Sequence, residues 1–271
     1  MPELPEVETV LRGLSPHLAG ARLQGAEVRN PRLRWPVPAA LDARLRGRRI
    51  VSLGRRGKYL LLGLDREAVI LHLGMSGSLR ILTRDEAPGP HDHVDLLLEE
   101  GRRLRLRDPR RFGAVLLAED PLRHPLLASL GVEPLGPAFT GEHLYLLCRG
   151  RGTTIKHLLM DAHQIVGIGN IYANEALFHA GIDPRTRAGR LSRRRCEALV
   201  EAVRATLERA IAAGGSTLRD FVDSTGRPGY FQQDYAVYGR AGQPCRQCGT
   251  PIVSLRQGGR ASFLCPTCQR R

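Results

Sequence analysis

Lysine is almost absent from this chain: among 41 basic residues only Lys58 and Lys156 are lysines, and the others are arginines. Also absent are an apolar run long enough to cross a bilayer and the basic, apolar start of a signal peptide. We therefore expect a soluble, cytoplasmic protein with no membrane partner. Because thiols stay reduced in that compartment, the six cysteines are not expected to form a disulfide framework.

The scarcity of lysine makes the two that remain candidates for chemistry. An arginine side chain is always charged and binds phosphate through a planar fork, but it does not readily exchange a proton. A chain that uses arginine for nearly every positive charge could keep lysine where an amine is required. Codon bias explains the same pattern, so Lys58 and Lys156 are candidates and no more at this point.

Positive charge is in excess. The formal net charge of +14 and the pI near 10.5 predict a polyanionic partner, foremost nucleic acid, whereas solubility alone is a weaker explanation. The 271 residues and the hydrophobic content of 42% predict an ordered protein of two domains with a small appendage.

The N-terminus, Met1-Pro2-Glu3-Leu4-Pro5-Glu6, offers an unusual nucleophile. Removal of Met1 would expose the secondary amine of Pro2, and an α-amine has a pKa of about 8. Such an amine can attack an aldehyde-like carbon and form an iminium, while Glu3 beside it can transfer a proton. The simpler interpretation is that proline at position 2 only resists degradation, and the hexapeptide alone favours it.

Hydrophobic spacing divides the chain into a strand-rich part and a helical part. Apolar residues at helical spacing predict a leading helix over residues 6–14. Crossover helices are missing between the strands that follow, so we predict an antiparallel sandwich or flattened barrel. The predicted strands are Tyr59–Leu64, Ala68–Leu73, Ser78–Leu82, Val94–Leu98, Leu104–Arg107 and Phe112–Ala118.

After a proline-rich connector the pattern becomes helical. Helices are predicted over residues 154–161 and 171–179, and a longer one follows Ser192 and ends at Gly214-Gly215. Cys148 and Cys196 fall in helical patterns, where buried thiols are the better interpretation. Residues 214–234 are rich in glycine, serine and polar groups, and this composition predicts a loop.

The strongest local pattern is Cys-x2-Cys repeated after 16 residues. This spacing is typical of a zinc ribbon, and we predict that Cys245, Cys248, Cys265 and Cys268 bind one structural Zn²⁺. A hairpin is predicted between the two motifs, with its tip at Gly258-Gly259. Arg260, just past the tip, is either a phosphate ligand or a solvated surface charge.

Two loops carry hydrophobic residues at bends. In Asp108-Pro109-Arg110-Arg111-Phe112-Gly113, an arginine beside an aromatic ring suits a wedge that enters the DNA base stack. Met75, between Gly74 and Ser76, is a similar case. For Met75 and Phe112 alike, packing in the core is the default alternative.

Together these motifs resemble the formamidopyrimidine-DNA glycosylase family of bacterial base-excision enzymes, over essentially the whole chain. The motifs that carry the resemblance are Pro2–Thr9, Arg56–Leu60, His72–Gly77, Asp108–Gly113, Gly167–Glu175, Gly214–Phe221 and the zinc ribbon. The implied fold is multidomain. It has an N-terminal antiparallel β-sandwich with a leading helix (1–134), a helix–two-turns–helix domain with a lesion-recognition loop (135–236) and a C-terminal zinc-ribbon finger (237–271).

The resemblance also implies a mechanism and its catalytic residues. Pro2 would attack C1′ of a damaged nucleotide and form the iminium, and Glu3 would protonate the opening sugar. Lys58 would assist β-elimination, and Arg260 would assist δ-elimination. The implied enzyme is a monomeric DNA glycosylase and AP lyase whose partner is double-stranded DNA containing oxidised purines, such as 8-oxoguanine and formamidopyrimidines, or abasic sites.

Further DNA-binding roles follow from the same resemblance. Met75, Arg110 and Phe112 would fill the void left by the extruded base, with Arg110 reading the orphaned cytosine. The residues implied to contact DNA are His91, Arg110, Arg151, Lys156 and Asn170. The lesion pocket would comprise Glu6, Ser216, Thr217, Leu218, Arg219, Asp220 and Phe221.

Two other functions remain open. An endonuclease VIII-like enzyme shares Pro2 and Glu3 but prefers oxidised pyrimidines; Leu4 and the Arg110-Arg111-Phe112 sequence favour the purine enzyme. A non-enzymatic zinc-ribbon DNA-binding protein would have no use for a free Pro2 amine, so blocking the N-terminus would leave it functional.

Overall fold

The computed structural model describes residues 2–84, 86–216 and 234–271. The chain forms two compact units, Met1–Ala128 with Ala213–Tyr230 and Ser129–Ala212 with Phe231–Arg271. Among the described residues, no helix combines the length and hydrophobicity that a membrane span requires.

The first unit begins with helix α1, Leu4–Leu18, which is longer than the predicted 6–14. Pro5 lies in the first turn, where the absence of an N–H costs nothing. The Glu6 carboxylate accepts the Glu3 backbone N–H at 2.8 Å, which satisfies one of the donors left open at a helix start. The buried residues of α1 recur at helical spacing and form its inner face: Val7, Val10, Leu14 and Leu18.

Eight strands of this unit form two four-stranded antiparallel sheets. Their bounds are β1 Leu23–Val28, β2 Ile50–Arg56, β3 Tyr59–Leu64, β4 Ala68–His72, β5 Ser78–Leu82, β6 Asp92–Leu98, β7 Arg103–Arg107 and β8 Ala114–Ala118. The first sheet has the order β1-β6-β7-β5, and the second has the order β2-β3-β4-β8. Short helices α2, Leu41–Leu45, and α3, Pro125–Ala128, complete the unit.

The two sheets and α1 share one hydrophobic core. Leu96 and Leu106 of the first sheet, Leu62 and Leu71 of the second, and Val10 of α1 are at most 2% exposed and belong to the same buried cluster. The predicted antiparallel sandwich with a leading helix is therefore confirmed, and the alternative of a flattened barrel is not observed.

The second unit is helical and ends in a two-stranded ribbon. Its helices are α4 Gly141–Cys148, α5 Ile155–Leu159, α6 Asn170–His179 and α7 Arg193–Ala212. Thr140 and Thr154 cap α4 and α5 by accepting the N–H groups of His143 and His157. The ribbon pairs β9, Val253–Gln257, with β10, Arg260–Leu264.

Buried polar groups connect the elements of this unit. The Glu175 carboxylate on α6 accepts the backbone N–H groups of Ala236, Val237 and Tyr238 at 2.8–3.0 Å, which fixes the chain on its way to the ribbon. Burial is the largest influence on this carboxyl and raises its pKa, against the effect of those three donors. The Cys148 and Cys196 thiols are both fully buried, as predicted.

Candidate active site and DNA-binding residues

The N-terminal residues predicted to be catalytic are buried at the start of α1. Pro2 is buried, Glu3 is 4% exposed and Glu6 is fully buried. The Glu6 carboxylate joins the helix start to Ser216, because Oε2 accepts the N–H of Glu3 at 2.8 Å and Oε1 accepts the N–H and the hydroxyl of Ser216 at 2.9 Å. The structure therefore brings Pro2, Glu3, Glu6 and Ser216 together.

The rest of the predicted lesion loop lies outside the described residues. Of the six loop positions, only Ser216 is described. The others are Thr217, Leu218, Arg219, Asp220 and Phe221.

Arg55 links the turn that contains Lys58 to the first turns of α1. Lys58 occupies the turn between β2 and β3, which Gly57 permits with a φ of +57°. Arg55 donates to Glu8 on α1 at 3.1 Å and to the carbonyl of Gly57 at 2.8 Å. Burial opposes ionisation of Glu8, yet hydrogen bonds from Arg12 and Arg55 hold its pKa below the ordinary value. This ion pair joins the first turns of α1 to the lysine turn.

Strand register places three functional segments at one end of the second sheet. Tyr59, the first residue of β3, pairs with His72, the last of β4, and His72 pairs with Ala114, the first of β8. Consequently the turn with Lys58, the loop after β4 and the loop before β8 meet at that end. Burial, followed by the charges of Lys58 and Arg34, lowers the pKa of His72 to about 4.

We call the two loops at this end, Leu73–Gly77 and Asp108–Gly113, the wedge loops. Met75 is 38% and Phe112 is 42% exposed, so the alternative that they pack in the core is wrong. The guanidinium carbon of Arg110 lies 5.2 Å from the centroid of the Phe112 ring, a cation–π arrangement. The three residues predicted to fill the void after base extrusion are therefore presented on adjacent loops.

His91 lies beside the second wedge loop. Its carbonyl accepts the Asp108 N–H at 2.9 Å, and its half-buried ring lies 6.5 Å from that of His93. Its predicted contact with DNA remains a prediction.

In the second unit, Lys156 and Asn170 converge on the ribbon beside Arg260. The Lys156 ammonium donates to the Ala261 carbonyl at 2.8 Å and to the Ser262 hydroxyl at 2.7 Å, and the Asn170 amide donates to the same carbonyl at 3.1 Å. Lys156 is 1% exposed, whereas Arg260 is exposed. The observed role of the lysine is thus to hold the ribbon, while its predicted contact with DNA stays a prediction.

A cavity of about 210 Å³ lies at this junction and is lined in part by Lys156, His157 and Arg260. Basic side chains outnumber the one carboxylate around this cavity, that of Asp161, and an excess of positive charge suits a phosphate group. Arg151 is exposed, and its guanidinium donates to the side-chain carbonyl of Gln164 at 3.0 Å.

The four predicted metal ligands come together at the base of the ribbon. The Sγ atoms of Cys245, Cys248, Cys265 and Cys268 all lie within 4.8 Å of one another. Tetrahedral zinc with Zn–S bonds of about 2.3 Å requires sulfur separations of about 3.8 Å. The 3.9 Å between Cys245 and Cys268 and the 3.4 Å between Cys248 and Cys265 fit that geometry.

Three family models match successive parts of the chain. The formamidopyrimidine-DNA glycosylase N-terminal domain matches residues 1–115, and the H2TH domain of the same enzymes matches residues 130–222. The zinc finger found in FPG and IleRS matches residues 242–271.

Relatives match over the full length. The formamidopyrimidine-DNA glycosylases of Thiobacillus denitrificans and Marinobacter nauticus are 57% and 54% identical over 270 residues, which is 100% of this chain and of each relative. The chain belongs to the formamidopyrimidine-DNA glycosylase family. The resemblance, the three-part fold and the zinc site predicted from the sequence are thereby confirmed.

Solved structures of the family agree with this fold. The MutM (Fpg) protein from Thermus thermophilus is 40% identical, with a TM-score of 0.88 over 99% of this chain and 98% of that chain. Lactococcus lactis Fpg, solved in complex with DNA containing an abasic site, is 32% identical, with a TM-score of 0.90 over 99% and 100%.

The sequence did not reveal the roles of three residues that organise the site. Arg55, His72 and Asp108 link the helix start, the sheet end and the wedge loops; His72 and Asp108 each begin a motif that carries the resemblance, whereas Arg55 lies outside those motifs. The Asp108-Pro109 pair does signal the start of a turn, and that signal could have identified Asp108.

Proposed function

We propose that this chain removes oxidised purines from double-stranded DNA and then cleaves the strand at the abasic site. The chain is a DNA glycosylase of base-excision repair, and lyase activity at abasic sites is part of the family's chemistry. Its partner is damaged duplex DNA, and its cofactor is one structural zinc ion. We place it in the bacterial cytoplasm with the nucleoid, acting as a monomer with the three-part division at residues 134/135 and 236/237.

The observation that carries the proposal is the buried cluster of Pro2, Glu3, Glu6 and Ser216. Once Met1 is removed, the Pro2 nitrogen forms a bond to C1′ while the glycosidic bond breaks. The electron pair of the glycosidic bond leaves with the base. Glu3, held by the adjacent Glu6, donates a proton to the sugar oxygen when the ring opens to the iminium. Burial excludes water that would compete with the amine.

Strand cleavage follows from the iminium, which withdraws electrons from C2′. Loss of a C2′ proton then expels the 3′ phosphate, and Lys58 assists this step from its turn beside α1. Arg260 binds phosphate from the tip of the zinc-stapled ribbon and assists the second elimination. Because arginine is a poor acid, its main contribution is electrostatic.

Borohydride trapping tests the reaction. Incubation with duplex DNA containing 8-oxoguanine opposite cytosine should give a covalent complex that includes Pro2. A variant with an uncleavable N-terminal extension should still bind that DNA but give no adduct. Failure of the processed wild-type protein to be trapped, with binding intact, would leave the non-enzymatic DNA-binding alternative in its place.

A second comparison decides the lesion class. One structure of Lactococcus lactis Fpg contains DNA with an oxidised pyrimidine, so binding such a lesion does not exclude membership of the purine family. Single-turnover release of 8-oxoguanine should be faster than release of an oxidised pyrimidine from the same duplex sequence. The reverse order would support the endonuclease VIII-like specificity.

A further inference from the structure

We infer that Asp108 is a positioning residue that holds the two wedge loops in one arrangement before DNA is bound. This inference rests on the proposed function, because it concerns how that enzyme extrudes a base. The Asp108 side chain is fully buried, and its carboxylate is bonded to both loops. Oδ1 accepts the Ser76 hydroxyl at 3.2 Å and the Arg110 N–H at 3.3 Å, while Oδ2 accepts the Gly113 N–H at 2.7 Å.

The backbones of the two loops lie in close contact. Gly74 has a φ of +61°, and a Cβ at this position would lie 2.4 Å from the carbonyl carbon of Phe112. His72 adds a second tie, because its Nδ1 accepts the Gly74 N–H at 3.0 Å and its ring bonds to the Phe112 backbone. The backbone of the loop with Met75 therefore contacts that of the loop with Phe112 directly at Gly74 and is bonded to it through His72.

Burial makes the carboxylate selective for this arrangement. A buried charge is costly unless hydrogen bonds replace the water it has lost. Two of the three side-chain bonds of Asp108 come from its own loop and one, from Ser76, comes from the other, so separating the loops would leave the buried carboxylate one donor short. Asp108 thus stabilises the paired loops more than it stabilises its own loop alone.

The second loop is bent so that its side chains point outward. Arg111 has a φ of +56°, a backbone conformation that residues other than glycine rarely adopt. Its N–H donates to the Asp108 carbonyl at 3.2 Å. On either side, Arg110 and Phe112 are exposed, whereas Asp108 and Gly113 at the ends are buried. The backbone of Asp108 fixes the bend, and its carboxylate fixes the ends.

The consequence for the reaction lies in the extrusion step. A wedge that is already ordered does not lose conformational entropy when it enters the stack, so more of its contact energy opposes re-entry of the base. Removing the Asp108 carboxylate should therefore slow excision where a stacked, paired base must be displaced. It should matter little where the facing base is absent and extrusion is easier.

Asp108→Asn tests this. The amide has the shape of the carboxylate, but its NH2 group cannot accept a hydrogen bond, so one backbone N–H loses its acceptor. Under single-turnover conditions, we expect release of 8-oxoguanine opposite cytosine to fall by about tenfold or more. With 8-oxoguanine facing an abasic position, the loss should shrink to about twofold. Equal losses on the two duplexes would mean a general structural defect and would overturn the inference.

Matched variants separate positioning from folding. Asp120→Asn makes the same chemical change at an exposed carboxylate that accepts one backbone N–H in the same unit, and it should leave both rates unchanged. Ser76→Ala removes one bond to Asp108 and should give a smaller defect with the same dependence on the facing base. This second variant keeps the inference testable if Asp108→Asn folds poorly.

A double-mutant cycle supplies the decisive readout. If Asp108 acts through the wedge, Asp108→Asn should cost little more in a Phe112→Ala background than Phe112→Ala alone. Fully additive losses would overturn the inference. Because every comparison uses lesion release by the wild-type protein as its reference, failure of the proposed function would be seen first in that reference.

Discussion

Acidification should weaken the first unit through His72, which the fold keeps neutral. The ring is 8% exposed, and burial, Lys58 and Arg34 lower its pKa to about 4. In the unfolded chain a histidine has a pKa of about 6.5. Between pH 6.5 and pH 4 the histidine binds a proton in the unfolded chain but not in the folded protein. Its contribution to the free energy of unfolding is therefore fully present above pH 6.5 and is lost as the pH falls towards 4.

The size of this effect follows from the shift. One pKa unit corresponds to about 1.4 kcal/mol, so His72 should cost about 3 kcal/mol of unfolding free energy by pH 4 and about 2 kcal/mol by pH 5. His72→Gln removes the titration, and its amide can still accept the Gly74 N–H and donate to Phe112. The variant should lose stability at pH 7, but the wild-type advantage should shrink by about 2 kcal/mol between pH 7 and pH 5.

Urea unfolding followed by Trp35 fluorescence is the appropriate assay. Trp35 is the single tryptophan of the chain and belongs to the same unit as His72. His17→Gln, at an exposed position on α1, is the control and should stay within about 0.5 kcal/mol of the wild type. A stability gap between the wild type and His72→Gln that does not change with pH would refute the reasoning, as would an NMR titration midpoint near 6.5 for His72.

Three further predictions concern buried charge and the metal. Arg105→Met should destabilise the first unit by about 1.5–3 kcal/mol in the Trp35 assay, because it removes a charge-assisted partner that the fully buried Asp95 carboxylate binds at 2.8 Å and leaves Arg29 as the other close partner at 2.6 Å; a loss below about 1 kcal/mol would contradict this. Lys156→Met removes two charge-assisted bonds to the ribbon, each worth about 1.5–3 kcal/mol, and should let a chelator remove zinc faster; an unchanged rate would argue against that anchoring role. Stripping zinc from the wild type should abolish DNA binding in an anisotropy assay because Arg260 loses its support, and unchanged affinity would count against a role for the ribbon.

Much of the fold could be predicted because its pattern is local. Tyr59–Leu64 and Ser78–Leu82 have the bounds predicted from alternation and turn residues. Strands β1 and β2 were not among the predicted strands, because bulges between Leu23 and Gly25 and between Ile50 and Ser52 shift the register and break the alternation. The predicted strand at Phe112–Ala118 begins only at Ala114, since the wedge loop takes the first two residues.

The metal ligands and the candidate catalytic residues were also accessible to sequence reasoning. Cysteine spacing predicts the zinc ligands, and the N-terminal motif names Pro2 and Glu3. Lys156 was named by its rarity and by the resemblance, but its burial under the ribbon was not anticipated, because charged residues are usually expected at the surface.

The sequence by itself therefore determined the family, the element types, the zinc ligands and the candidates for chemistry, since each depends on residue type and spacing along the chain. Only the tertiary structure decided which distant residues act together. The resemblance already grouped Glu6 with Ser216, 210 positions later, but only the structure shows that the Glu6 carboxylate accepts hydrogen bonds from Ser216 and that Asp108 accepts one from Ser76, 32 positions away. The physical reason is burial: a carboxylate removed from water must find its donors wherever the fold supplies them, and sequence separation does not enter that requirement.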